Sequence, residues 1–221
     1  MNDVKDFRTM RITFSKTGSA RYISHLDLNR TMTRAVRRAG LPIWYTEGFN
    51  RHPYLTFAAP LSLGYEGEQE TMDVRFADEI DPAELVTRLN AVMPVGLTVL
   101  RAAWAIKKAG EVDRAVYRLH LGCSADDVKA LFAQDAVLVE KRTKKKEYKT
   151  VDLKPAIQTA DAAIEEDNGG CTVTLTLPCN STDTVNPSLI IEALKTKLAC
   201  PDMPYTVRRL AVLDRDGKIF A

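Results

Sequence analysis

No apolar run in the 221 residues approaches the ~20 needed to cross a bilayer, so a membrane-spanning helix is excluded. The opening MNDVKDFRTM lacks the apolar stretch of a signal peptide, so the chain is read as cytoplasmic. Cysteine is scarce. Cys123, Cys171, Cys179 and Cys200 lie 48, 8 and 21 positions apart, without the close spacing that holds zinc or an iron–sulfur cluster. In a cytoplasm they are expected as reduced thiols. The patterns GxxxxGK[ST], HExxH, GxSxG and GxGxxG are all missing, so ATP hydrolysis, zinc proteolysis and serine-esterase chemistry have no sequence support. No cofactor and no metal is expected.

What is present is the mix of a soluble chain with a real core: 45% hydrophobic and 27% charged residues. The length suits one large domain or two small ones at roughly 100–200 residues each. The net charge is only +2, but it is unevenly placed. Residues 8–57 hold nine Lys/Arg against two acids and residues 141–154 seven against two, which leaves the remainder at −10. Basic charge gathered into two segments of an otherwise acidic chain points to a polyanion.

Arg11–Phe14 and Ala20–Ile23 read as a strand broken around Gly18. Ser24 then opens a helix, with Asp27 three residues on in the capping-box position. Leu28, Met32, Ala35, Val36 and Ala39 give it one apolar stripe, and Gly40 and Pro42 end it. Strands are expected at 43–46, 54–59 and 72–76, a helix from Asp81-Pro82, and a strand at 97–105. The order β-α-β-β-α-β is the ferredoxin-like pattern. After a polar linker at 107–113 the pattern repeats: strand 116–121, helix 124–132, extended pieces within 137–154, strand 171–177, helix 187–198 and strand 205–212. Asn168-Gly169-Gly170 signals a turn. The expected fold class is α+β, two tandem ferredoxin-like domains over 8–107 and 114–221.

On the first helix, Arg30, Arg34, Arg37 and Arg38 share a broad face opposite the apolar stripe. Guanidinium forks match phosphate geometry, so this face is a candidate for phosphate contacts. A solvated face with scattered ion pairs is the other reading. Lys141–Lys146, including Lys144, Lys145 and Lys146, reads as a basic hairpin tip or as a solubilising loop. Residues 44–65 hold six of the sixteen aromatics. Most of these suit strand packing, whereas Phe49 and Tyr54, with Arg51 and His52 between them, suit stacking on unpaired bases. His25 and His52 are candidates for an acid and base in RNA cleavage, or else structural histidines. His120, in an alternating strand, reads as structural.

The segment from Lys16 to Glu70 carries Ser24-His25-Leu26-Asp27, Arg37-Arg38-Ala39-Gly40-Leu41-Pro42, Gly48-Phe49-Asn50-Arg51-His52-Pro53 and Pro60-Leu61-Ser62-Leu63-Gly64. It resembles the radical-SAM-linked family of unknown function, the stand-alone form of a domain found at the C-terminus of cobalamin-binding-type radical SAM proteins. Arg51 departs from the family's usual proline. The second half matches loosely, through Lys144–Lys154 with Tyr148, Val151 and Asp152. The resemblance implies a bacterial cytoplasmic protein linked to RNA through neighbouring ribonuclease and ribosomal-protein genes, and a radical SAM partner. The chain lacks that enzyme's three-cysteine motif and is not itself one.

Together these readings give an RNA-binding accessory module, more readily a non-enzyme than an enzyme. Two rivals stand beside it: a metal-independent endoribonuclease or RNA-modifying subunit using His25 and His52, and a scaffold that docks a radical SAM enzyme.

Overall fold

A computed structural model describes residues 9–142 and 147–220. It is a mixed α+β protein with a mostly antiparallel sheet and five helices. The chain divides into two compact units, the first running to Val112 and including the segment from Lys218, the second spanning Asp113–Gly217. Among the described residues no helix is long and apolar enough to cross a membrane.

In unit 1, β1 (Thr9–Lys16) is followed by α1 (His25–Arg38), β2 (Leu55–Phe57), β3 (Glu66–Arg75), α2 (Pro82–Asn90) and β4 (Leu97–Trp104). The strands lie in the order β4-β1-β3-β2, all antiparallel. Alternation along β1 sends Met10, Ile12 and Phe14 to the core, where they meet Leu28, Met32, Ala35 and Val36 of α1 and Leu85 and Leu89 of α2. Each helix starts on a built cap. Ser24 Oγ accepts from Asp27 N (3.1 Å), and Asp81 Oδ1 accepts from Ala83 N and Glu84 N, both 2.9 Å. The C-termini exchange arginines. Arg88 of α2 donates to Ala39 O (2.7 Å) and Gly40 O (2.6 Å), while Arg38 of α1 donates to Val92 O (2.8 Å). These carbonyls have no helical partner, and a cation suits that end of a helix.

The other face of β1 is polar. Arg11 is 1% exposed and makes a two-pronged pair with Asp73, its direct neighbour on β3, at 2.7 and 2.9 Å. Its third bond goes to Lys107 O (2.7 Å), and the Phe220 ring lies 3.9 Å from the guanidinium carbon.

Two expectations for unit 1 change. Ala20–Ile23 is not a strand, because Gly18–Tyr22 coils into a 3-10 turn. Gly18 is left-handed (φ +58°), and the turn packs so tightly on Gly96 that a Cβ there would lie 2.5 Å from Thr17 O. Residues 43–46 make only isolated bridges, Ile43 to Phe76 and Tyr45 to Pro53.

Unit 2 contains β5 (Val112–Leu121, its first residue at the unit boundary), α3 (Ala125–Phe132), β6 (Leu138–Arg142), β7 (Tyr148–Asp152), α4 (Lys154–Gln158), β8 (Ala163–Asp167), β9 (Gly170–Pro178), α5 (Pro187–Lys197) and β10 (Tyr205–Asp214). The main strands lie in the order β10-β5-β9-β8. The extended pieces expected within 137–154 do form, but β6 and β7 pair with each other as a separate two-stranded sheet. The strand beside β9 is β8, joined to it by the Asn168–Gly169 turn. Its AIEED sequence hid it, because an edge strand needs little apolar surface and only Ile164 is half-buried.

Asp73→Ala strips the counter-charge from a buried guanidinium and is expected to cost about 3–5 kcal/mol. The double variant Arg11→Met/Asp73→Leu should recover most of that loss. Urea denaturation of the three proteins checks both outcomes.

Candidate nucleic-acid interface

The arginines of α1 have unequal surroundings. Arg30 bonds Asp27 at 3.2 Å, and Arg38 bonds Val92 O. Arg37 lies over Tyr45, 5.6 Å from guanidinium carbon to ring centroid. Arg34 is exposed and makes no ion pair among the described residues. Arg34 and Arg37 are therefore the members of the face with neither an ion pair nor a backbone carbonyl bond described, and Tyr45 is their flat neighbour. Asp27 is held below the usual carboxylate range, first by the Ser24 hydroxyl, with desolvation opposing it and Arg30 adding to it.

Residues 46–53 form a tied loop. Thr46 N donates to His52 O (2.9 Å), and His52 N donates to Thr46 Oγ1 (3.2 Å). Gly48 has φ +125°, a backbone shape that side chains resist. Phe49 stands at the tip with full exposure, 104% of the reference value, beside exposed Arg51. His52 Nδ1 lies 3.0 Å from Asn50 O, and a carbonyl only accepts, so Nδ1 carries the proton and Nε2 keeps its lone pair in the neutral ring.

His25 sits elsewhere. At the first turn of α1 its ring packs edge-to-face on Phe57, 5.0 Å between centroids, and Phe57 packs on Phe14. No hydrogen bond or ring contact joins His25 to His52 among the described residues.

Tyr54 is also separated from the helix face. The register that pairs Leu55 with Val74 places Tyr54 beside Arg75, whose guanidinium carbon is 4.0 Å from its ring centroid and 5.6 Å from that of Trp44. Val74 faces the helices, so alternation turns Arg75 and this aromatic slot to the opposite side of the sheet. Arg75 escaped notice in the sequence because nothing local links position 75 to 44 or 54. Its Nε is buried without a hydrogen-bond partner.

In unit 2 the basic hairpin is real in its strands, with Lys141 directly opposite Lys149 and Arg142 opposite Tyr148, which is 68% exposed. Like charges in that position oppose pairing, and a bound polyanion would relieve them. Lys144, Lys145 and Lys146 lie outside the described residues. Among the described residues no group of three or more His, Cys, Asp or Glu is placed to hold a metal ion. Burial pushes the Cys171 thiol up to about 12 and also raises Cys123, which hydrogen-bonds it, so neither offers a ready thiolate.

A family model described as an uncharacterized protein conserved in bacteria (DUF2344) matches residues 9–187. The chain belongs to that family. The DUF2344 match takes in α1, the 46–53 loop and the β6–β7 hairpin. No curated protein matches the sequence. Among solved structures, a protein of unknown function from Galdieria sulphuraria is 8% identical with a TM-score of 0.28, over 92% of this chain and 99% of that one. A putative glycine cleavage system transcriptional repressor is 11% identical with a TM-score of 0.24, over 91% and 96%. At those scores the fold rests on this chain's own strand order.

Ser24→Ala should cost about 1 kcal/mol through the lost cap. It should also return the Asp27 carboxyl toward its ordinary range in an NMR pH titration. Because the folded Asp27 titrates low, its contribution to stability is present above the ordinary carboxylate range and fades as pH falls through the lowered value. The variant should show a weaker acid-side dependence, with the part due to Arg30 kept.

Proposed function

We propose that this DUF2344 protein binds RNA through unit 1. Arg34, Arg37 and Arg51 take phosphates, and Phe49 and Tyr45 stack on unpaired bases. The observation that carries this reading is Phe49, a wholly exposed aromatic on a hydrogen-bonded loop, in a segment where arginine lies against tyrosine. Stacking is tolerant of sequence and phosphate contact is salt-sensitive, so the expected ligand is a single strand or loop of no fixed sequence. In unit 2, Lys141 and Lys149 of the β6–β7 hairpin are a basic site of their own, and Lys144, Lys145 and Lys146, expected to contribute to it from the sequence, lie outside the described residues.

Each unit is read as a ferredoxin-like domain, two in tandem. The orders β4-β1-β3-β2 and β10-β5-β9-β8, each with two helices between its main strands, support that reading, and β6, β7 and α4 are then an insertion in the second. Docking to a radical SAM enzyme remains the partner that the family resemblance implies.

The cleavage reading uses His25, at the first turn of α1, and His52, on the loop that presents Phe49. A gel of the binding mixture separates the two: intact RNA supports binding without turnover, whereas shortened RNA that His52→Ala leaves whole supports cleavage.

Fluorescence anisotropy with single-stranded RNA tests the lead reading. With ~3 phosphates neutralised, the log–log salt slope should be about −2. Phe49→Ala should weaken binding by about 1–3 kcal/mol with the slope unchanged. Arg34→Glu/Arg37→Glu should weaken binding and flatten the slope. A folded double variant that binds like the native protein would overturn the assignment.

A further inference from the structure

At one end of the unit 2 sheet lies a cleft of about 250 Å³, walled by the end of β5, the β8–β9 turn and the start of β10. His120 lines it. Its strand neighbours Leu119 and Leu121 are buried in the core, as are Cys171 and Val173 across from them, so His120 and its cross-strand partner Thr172 occupy the other face.

A short relay fixes the ring. The Thr172 hydroxyl donates to Asp167 Oδ2 (3.3 Å), and its oxygen lies 2.9 Å from His120 Nδ1. Asp167 is itself held, its Oδ1 accepting from Asn168 N at 2.7 Å. A hydroxyl has one proton. With that proton on Asp167, Nδ1–H must be the donor to Thr172, and in the neutral ring Nε2 keeps its lone pair. The relay therefore leaves Nε2 as a hydrogen-bond acceptor.

Gly122 and Gly170, both in the cleft wall, are held by close packing: a Cβ on Gly170 would collide with Leu121 O, and one on Gly122 would lie 2.6 Å from Pro204 Cγ. At the rim Tyr205 is 44% exposed, with Lys195 Nζ 5.0 Å from its ring centroid. The volume is below that of a drug-sized site and suits a small ring system.

We infer that the cleft binds an unpaired nucleobase, which donates a ring N–H to His120 Nε2 and stacks on Tyr205. The base comes either from a free nucleoside or from an RNA strand. This inference stands apart from the face built on α1, and Phe49→Ala should leave it unchanged.

The test is a titration of the full chain with uridine, followed by nitrogen-15 spectra of the backbone and the histidine rings at a pH where the rings are neutral. Uridine should give saturable shifts at the His120 ring and the Gly169 and Gly170 amides. N3-methyluridine, which lacks the N–H, should bind about tenfold more weakly, the loss of roughly one hydrogen bond. Thr172→Val should move the His120 ring signals toward the other tautomer and weaken uridine binding, while N3-methyluridine binding stays where it was. A short oligouridylate that shifts the same residues at lower concentration assigns the base to RNA, and one no tighter than uridine assigns it to a free nucleoside. Equal binding of uridine, N3-methyluridine and ribose, or no shifts at about 10 mM uridine, overturns the inference. The methylated probe acts on the native protein and so needs no variant to fold.

Discussion

A guanidinium buried in a β-sheet is costly unless its charge is paired, and in unit 1 Asp73 meets Arg11 with both carboxylate oxygens. The pair joins directly opposed residues of β1 and β3, so a one-residue slip would break it inside the protein and turn the core side chains outward. The register thus held carries the candidate interface. Trp44 N donates to Arg75 O at 2.9 Å, and Tyr54 N donates to Trp44 O at 3.2 Å, so the segment leading into and out of the 46–53 loop hangs from the end of β3. Loop and helix face are placed by a polar contact remote from both.

Arginine serves three physical ends in this small unit. Arg11 fixes register, while Arg38 and Arg88 satisfy helix-terminal carbonyls. Arg37 and Arg75 lie against aromatic rings on opposite sides of the sheet. Only the helix-side group is well placed to meet a polyanion, because Arg37 has Arg34 one helical turn away, whereas Arg75 is wedged between Trp44 and Tyr54. A basic patch counted from sequence therefore overstates the guanidinium donors that remain for a ligand. The proposed RNA face is narrower than its arginine content suggests, and relies on the stacked and exposed rings for much of its affinity.

Unit 2 solves a different problem. Its His120 is exposed, yet it is not freely oriented, since its Nδ1 lies 2.9 Å from a threonine hydroxyl that also bonds Asp167. An ordered imidazole beside a glycine-lined cleft is an arrangement that neither residue type nor alternation announces. His120, which read as structural in the sequence, is tied to Thr172, and His25, read as either catalytic or structural, packs on Phe57.

Local physics made much of the fold legible. The apolar stripe of α1, the Ser24 and Asp81 caps, the Gly40 stop and the alternation of β9 are short-range properties, written in neighbouring residues. The exposed, glycine-containing loop that presents Phe49 was legible for the same reason. What tertiary structure alone decided is which long-range partner each polar group finds. Sequence placed Ala20–Ile23 in a strand, but close packing against Gly96 bends that stretch into a turn. It gave no sign of β8, an edge strand recognisable only by the β9 it pairs with. It grouped four arginines on one helix face, and the fold tied one of them, Arg38, to Val92 O. Hydrogen bonds and ion pairs between residues about fifty positions apart depend on strand register and helix packing, and those are set only when the whole core closes.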